Sequence, residues 1–354
     1  MYSNFKRVII VISLVNCFFS HGILKSQELE KGKEYLFVTV AFYNIENLFD
    51  TLDTENVDDE EFTPLGAKNW NSEKYNLKLE KLSEVLSQLG TEINPDGPAL
   101  LGLCEIENKS VLEDLAKTEK LKSKKYNIVH YDSPDRRGVD VGFLYQPKYF
   151  EVTGSKPFTL KMEGDDGFLT RDQLLVSGKL LGENIHIIVN HWPSRRGGEK
   201  KSAPKRMAAA DLGRSIIDSL LAADPNAKIM LMGDLNDDPV DESVKKHLKT
   251  VGEKDKLKNS LLFNPMESLH KKGIGSLAYR DSWNLFDQII ISSSLFKGEN
   301  STFRFYTAKV FNKEFLKNQE GQYKGYPFRT FVGNAFQNGY SDHFPVYIFL
   351  VKEK

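Results

Sequence analysis

Apolar residues recur along this chain in two rhythms. Eight short segments alternate or run apolar over four to nine residues and are rich in β-branched and aromatic side chains. They are Tyr35–Tyr43, Ala99–Cys104, Val139–Tyr145, Gln173–Leu180, Ile185–Asn190, Ile229–Met232, Phe286–Ser292 and Phe344–Val351. Turn residues bound them, so each predicts a strand. Two longer segments carry the helical period. Over Glu73–Leu89, the residues Leu79, Leu82, Val85, Leu86 and Leu89 share one face, and Gly90 follows as a stop. Over Lys205–Ala223, the inward set is Met207, Leu212, Ile216, Ile217 and Leu220. Many strands with few, widely spaced helices predict two sheets packed face to face with helices outside.

The N-terminus breaks this pattern. Lys6 and Arg7 precede a nearly unbroken apolar run from Val8 to Phe19. That run is shorter than the roughly 20 residues that span a bilayer. Residues 1–26 therefore read as a secretory signal peptide with Ser26 at the cut and Ser20 or Gly22 as alternatives, which places the mature chain in the periplasm or outside the cell. From Glu34 onward there is no repeat, linker or low-complexity tract, so 34–354 reads as a single domain. No later segment reads as a membrane anchor.

Composition narrows the function classes. The 354 residues hold 48 Lys+Arg and 49 Asp+Glu, a net charge of −1. Loss of Lys6, Arg7 and Lys25 with the leader takes this to −4. Such a chain does not coat nucleic acid by bulk positive charge. Any phosphate binding must come from a local patch or a metal. Of two cysteines, only Cys104 survives cleavage, so an intrachain disulfide is excluded. Neither a G-x-G-x-x-G nor a G-x-x-x-x-G-K-[ST] loop is present, which argues against a nucleotide cofactor.

The chemistry sits at strand ends. Four apolar runs stop abruptly on groups that bind metal or phosphate: Asn44, Glu105, Asn190-His191, and Asp234-Leu235-Asn236. A carboxylate such as Glu105 after five buried-type residues is costly without a partner, and a hard divalent cation would supply one. Asp234 and Asn236, two apart in extended backbone, point the same way. His343 in Ser341-Asp342-His343 needs a carboxylate other than its neighbour to orient it. Asp287, which interrupts an apolar strand, is the candidate. After His191, six bases (Arg195, Arg196, Lys200, Lys201, Lys205, Arg206) accompany one acid, a patch suited to a phosphate-bearing substrate. Arg137 and Asp140 form a smaller candidate. Seven acids between Asp50 and Glu61 read as an exposed loop near the site rim.

The order of these motifs resembles the endonuclease/exonuclease/phosphatase superfamily, including its DNase-I-like nucleases, from about Val38 to Leu350. Tyr43-Asn44-Ile45-Glu46-Asn47-Leu48-Phe49-Asp50 and His191-Trp192-Pro193-Ser194-Arg195 look most like its secreted bacterial nuclease branch. The resemblance implies a four-layer αββα sandwich with one site at an edge of the sheets. It implies Mg²⁺, with Mn²⁺ or Ca²⁺ as alternatives, at Glu105 and Asn44 with Asp342 nearby. It implies a catalytic set of His343, Asp287, His191, Asp234 and Asn236, with Arg137, Asp140 and Arg195 on the substrate. Two residues depart from the family pattern: Cys104 where Gln often precedes the metal Glu, and Leu235 where Phe is frequent. The expected activity is hydrolysis of a phosphodiester in DNA or RNA by water. A lipid phosphodiesterase, a phosphomonoesterase or a non-catalytic phosphate-binding relative shares the same scaffold. Either His343 with Asp287, or Asp234, could act as the base. No protein partner is expected.

Overall fold

Side chains alternate across the central strands, and each face meets a different layer. Val40 and Phe42 enter one buried cluster, while their neighbours Ala41 and Tyr43 enter another. The same split separates Ile187 and Val189 from Ile188, Met230 and Met232 from Leu231, and Ile289 and Ile291 from Ile290. A strand buried on both faces needs a layer on each side. The computed structural model describes residues 29–258 and 260–354. The expected signal peptide lies outside them.

In chain order the strands are β1 Tyr35–Leu48, β2 Pro98–Ile106, β3 Asn127–His130, β4 Asp140–Tyr145, β5 Phe150–Phe158 and β6 Gln173–Leu180. They continue as β7 Glu183–His191, β8 Ile229–Asp234, β9 Thr250–Val251, β10 Leu262–Phe263, β11 Leu277–Tyr279 and β12 Ser282–Asn284. The last are β13 Asp287–Ser292, β14 Arg304–Val310, β15 Phe331–Val332, β16 Ala335–Phe336 and β17 Val346–Glu353. The α-helices are α1 Ser72–Leu86, α2 Lys109–Lys117, α3 Glu199–Ala223, α4 Met266–His270 and α5 Ser293–Lys297. One mixed sheet has the order β14-β17-β1-β2-β4-β3, and the other β5-β6-β7-β8-β13-β10-β9. Their facing sides share one core. α1 and α2 cover the outer face of the first sheet, and α3 that of the second. The result is the αββα sandwich. Gly102 keeps the sheets close, because a Cβ there would lie 2.6 Å from Met232 Sδ on the facing sheet.

Several boundaries differ from the pattern reading. β1 runs past Asn44 to Leu48, since Ile45 and Leu48 remain buried. α3 begins at Glu199, six residues before the expected Lys205, and carries Pro204 within it. The last strand starts at Val346, because Pro345 has no N–H to give the ladder. Among strands of four or more residues, β3, β5 and β14 have no counterpart in the pattern reading. All three are sheet edges. β3 and β5 are largely uncovered, so their apolar alternation is weak.

Candidate active site

Neighbouring strands of the second sheet bring three site residues into one row. Cα register pairs His191 with Asp234 in parallel, and Asp287 with Asp234 in antiparallel. Gly233 permits this, because a Cβ on it would meet the Asn190 carbonyl oxygen at 2.4 Å. The first sheet contributes Asn44 and Glu105 from adjacent parallel strands, with Asn44 level with Cys104. Ladder irregularities follow both, between Asn44 and Leu48 and between Cys104 and Ile106. Glu105 sits there with φ of 61°, a left-handed backbone that costs a glutamate roughly 1–2 kcal/mol. Such a kink re-aims one side chain out of the alternation. Here it turns Glu105 toward Asn44 and His191.

Asn44 Nδ2 donates to Glu105 Oε1 at 3.2 Å and to Asp234 Oδ2 at 3.0 Å, joining the two sheets. His191 Nε2 lies 3.8 Å from the same Glu105 oxygen and 3.7 Å from the same Asp234 oxygen. His343 Nδ1 is 2.6 Å from Asp287 Oδ2, and its Nε2 is 3.9 Å from Asp234 Oδ2. Thus Glu105, Asn44, His191, Asp234, His343 and Asp287 converge. Asn236 closes the group from behind: its backbone N–H donates to Asp234 Oδ1 at 2.9 Å, and its Nδ2 to the Trp192 carbonyl at 3.0 Å.

Electrostatics sort these groups by charge. Burial pushes the Asp234 carboxyl up to about 6; His343 opposes that shift and Asp287 adds to it. Burial disfavours charge on His343 too, but Asp287 and Asp234 outweigh it and hold that imidazole well above its usual value. His191 goes the other way. Burial, then the cations of Arg171 and Arg137, drive it well below the usual imidazole range. The site therefore holds one histidine that favours charge and one that resists it.

Not every expected residue faces this centre with a free group. Asn44 turns its amide N–H toward the acids, and its carbonyl oxygen accepts the Glu46 N–H at 3.0 Å. In this arrangement its amide bridges the two carboxylates. Asp342 Oδ2 is taken by Arg329 at 3.1 Å. Arg195 is a brace: it donates to the Asn236 carbonyl, pairs with Asp237, Asp241 and Glu199, and stacks on Phe286. Arg206 is fully buried on Asp237, so the basic patch is smaller than its sequence suggests. Asp140 is buried and holds His130 Nε2 at 2.9 Å. Arg137 stays half exposed beside Asp135.

Arg171 was missed. Its Nε and Nη2 donate to the carbonyls of His191 and Trp192, and its Nη1 pairs with Asp135 at 3.1 Å. It thus fixes the segment carrying His191. Paired with Asp172 just ahead of β6, it gave no periodic signal. Glu46 carries no role in the pattern reading; it is buried and accepts from Arg329 and Thr330.

The acidic loop is only partly solvated. Asp59 and Glu107 are buried beneath it. Glu107 accepts from the Asp50 N–H and the Thr54 hydroxyl. Burial, with Asp50 and Asp59 nearby, pushes its carboxyl up to about 7. A raised acid pKa makes the folded state bind more protons than the unfolded one, so stability falls as pH rises from about 4.5 to 7. Glu107→Gln is expected to lose most of that fall. The gain is at most about 3 kcal/mol at pH 8 and absent at pH 4. Urea midpoints at the two pH values check it; equal midpoint changes at both would refute it.

A divalent cation suits this donor set. Glu105 Oε1 and Asp234 Oδ2 share Asn44 Nδ2 and lie 3.8 Å and 3.7 Å from His191 Nε2, and histidines are their only ion-pair partners among the described residues. Residues 39–352 match the model of the Endonuclease/Exonuclease/phosphatase family. The chain belongs to that family. Among solved structures it is similar to truncated TDP2 of Caenorhabditis elegans, with 18% identity over 89% of this chain and 97% of that one, at a TM-score of 0.51. It is similar to Danio rerio TDP2 complexed with a single-strand DNA product, with 13% identity over 89% and 98%, at 0.53. It is also similar to a mannosyl-6-phosphatase of Bacteroides thetaiotaomicron, with 16% identity over 88% and 99%, at 0.51. At such identities these likenesses establish the fold. No curated protein matches the chain. Among the described residues, no helix is long and apolar enough to cross a membrane.

Proposed function

We propose that this chain is a divalent-metal-dependent phosphodiesterase that cleaves nucleic acid by water attack on phosphorus. The observation that carries this is the meeting of two dissimilar histidines and the Glu105–Asp234 pair at one point. Glu105 and Asp234 would hold the ion, which supplies charge neutralisation at the phosphoryl oxygens. The Asp234 carboxylate accepts the proton of the attacking water. His343, kept charged by Asp287, donates from Nε2 to a phosphoryl or leaving oxygen. His191, neutral and held by the Arg171 contacts to its backbone, orients the phosphate from the other side. Asn236 keeps Asp234 and the His191–Trp192 segment in register. The likeness to a structure holding a single-strand DNA product supports a nucleic acid substrate.

The phosphomonoesterase reading is favoured only by the likeness to the mannosyl-6-phosphatase. Purified protein incubated with Mg²⁺ and single-stranded DNA, RNA or mannose 6-phosphate separates the two. Chelator-sensitive shortening of the polynucleotide is expected. Release of inorganic phosphate from the sugar phosphate with intact polynucleotide would reverse the assignment.

A further inference from the structure

Arg195 and Arg206 turn inward, yet two half-exposed guanidiniums lie near the centre. Arg137 is one, and its charge acts on His191. Arg329 is the other, with a side chain 47% exposed, beside His343. Its Nε donates to Glu46 Oε1 at 3.0 Å, and its Nη2 to Asp342 Oδ2 at 3.1 Å. The other Asp342 oxygen lies 4.0 Å from His343 Nε2. One carboxylate thus separates the guanidinium from the imidazole nitrogen assigned to the reaction. The Arg329 charge also acts on Glu105.

Arg329 is held firmly for a side chain so open to solvent. Glu46 is buried, and its second oxygen accepts the Thr330 N–H at 2.6 Å. Lys78, fully buried, donates to the Thr330 hydroxyl and to the Tyr340 carbonyl. Gly339 packs against the Arg329 carbonyl, where a Cβ would come within 2.1 Å. The guanidinium plane is therefore set before any ligand arrives, which leaves little side-chain freedom to lose on binding. The two acids do not exhaust it. Both Nη1 hydrogens lack a protein acceptor among the described residues, and Lys78 shares the charge of Glu46.

A fixed, planar, permanently charged donor with free N–H groups suits a phosphate oxygen. The phosphate under attack belongs among Glu105, Asp234, His191 and His343, and Asp342 stands between that group and Arg329. What meets the guanidinium is then a different phosphate. A polynucleotide carries one; an isolated phosphoester does not. We propose that Arg329 anchors, through Nη1, a second substrate phosphate next to the one under attack, so that the centre prefers a polynucleotide strand to an isolated phosphoester. This rests on the nucleic acid reading above and names a residue that enforces it. Arg329 acts on binding, and His343 on the chemistry.

Steady-state kinetics at fixed Mg²⁺ test it, on a single-stranded oligonucleotide and on bis(p-nitrophenyl) phosphate, which has a single phosphate. R329M is expected to lower kcat/KM about tenfold more on the oligonucleotide than on the small diester, mainly through KM. Its plot of log kcat/KM against log KCl concentration on the oligonucleotide should be shallower by about 0.7, the share of one phosphate contact on a single strand. R329K, which keeps the charge, should keep the slope. Circular dichroism monitors folding. If R329M does not fold, R329Q, whose amide can still donate to Glu46, carries the same expectation. A residue that only holds Glu46 and Asp342 in place would act on both substrates alike. Equal losses on the two substrates, or an unmoved salt slope, would therefore overturn the inference while leaving the nuclease reading standing. An unmodified protein that cleaves the small diester but not the oligonucleotide would overturn the nucleic acid reading, and this inference with it.

Discussion

Replacing His343 with Gln is expected to lower the rate of the proposed phosphodiester cleavage by about 10²–10⁴-fold, the usual size of a proton-transfer or charge-stabilising contribution. The geometry explains why the loss should be large. His343 Nδ1 meets Asp287 at 2.6 Å, and Asp287 is fully buried with its other oxygen unpartnered. Asp287 therefore has one outlet for its charge, and that outlet is the imidazole. Gln can still donate to Asp287, so the fold is expected to survive. His343→Ala would strand a buried carboxylate and cost several kcal/mol of stability as well. Asp287→Asn should resemble His343→Gln in rate, because an amide no longer holds the imidazole charged. Single-turnover kinetics on a single-stranded oligonucleotide, alongside thermal melts, read both quantities. A His343→Gln variant within about threefold of the unmodified rate would remove His343 from the chemistry.

Local pattern carried the layered architecture but not the wiring between layers. The apolar runs along β1, β7, β8 and β13 are nearly unbroken because both faces are buried, and they revealed the central strands. The polar stops at Asn44, Glu105, His191 and Asp234 were visible because burial makes them expensive. The edge strands β3 and β5 were hidden by their half-solvated faces. Arg171 and Arg329 were hidden for another reason. Arg329 reaches Glu46 across 283 positions, and no local rhythm encodes so distant a pairing. Charge count also misled. Arg195 and Arg206 look like a surface patch in sequence, yet both turn inward onto Asp237. A sequence can show where a charge is costly; the fold decides which opposite charge answers it.

The second large effect concerns Glu105, whose position trades stability for the metal site proposed for it. Its left-handed backbone is strained, and its carboxylate shares Asn44 Nδ2 with that of Asp234. Two acids on one amide repel until a cation separates them. Without metal, Glu105→Gln should therefore melt no lower than the unmodified protein, and Glu105→Gly, which also removes the backbone strain, somewhat higher. With Mn²⁺ at about 100 times its Kd, the unmodified protein should gain about 2.7 kcal/mol from binding, and neither variant should gain it. Cleavage should fall by at least 10³-fold in both, since charge neutralisation at phosphorus goes with the ion. Thermal melts with and without Mn²⁺ separate the two effects. A Glu105→Gln protein that still gains stability from Mn²⁺ would place the ion elsewhere, and the exposed, Arg329-free oxygen of Asp342 would become the next residue to change.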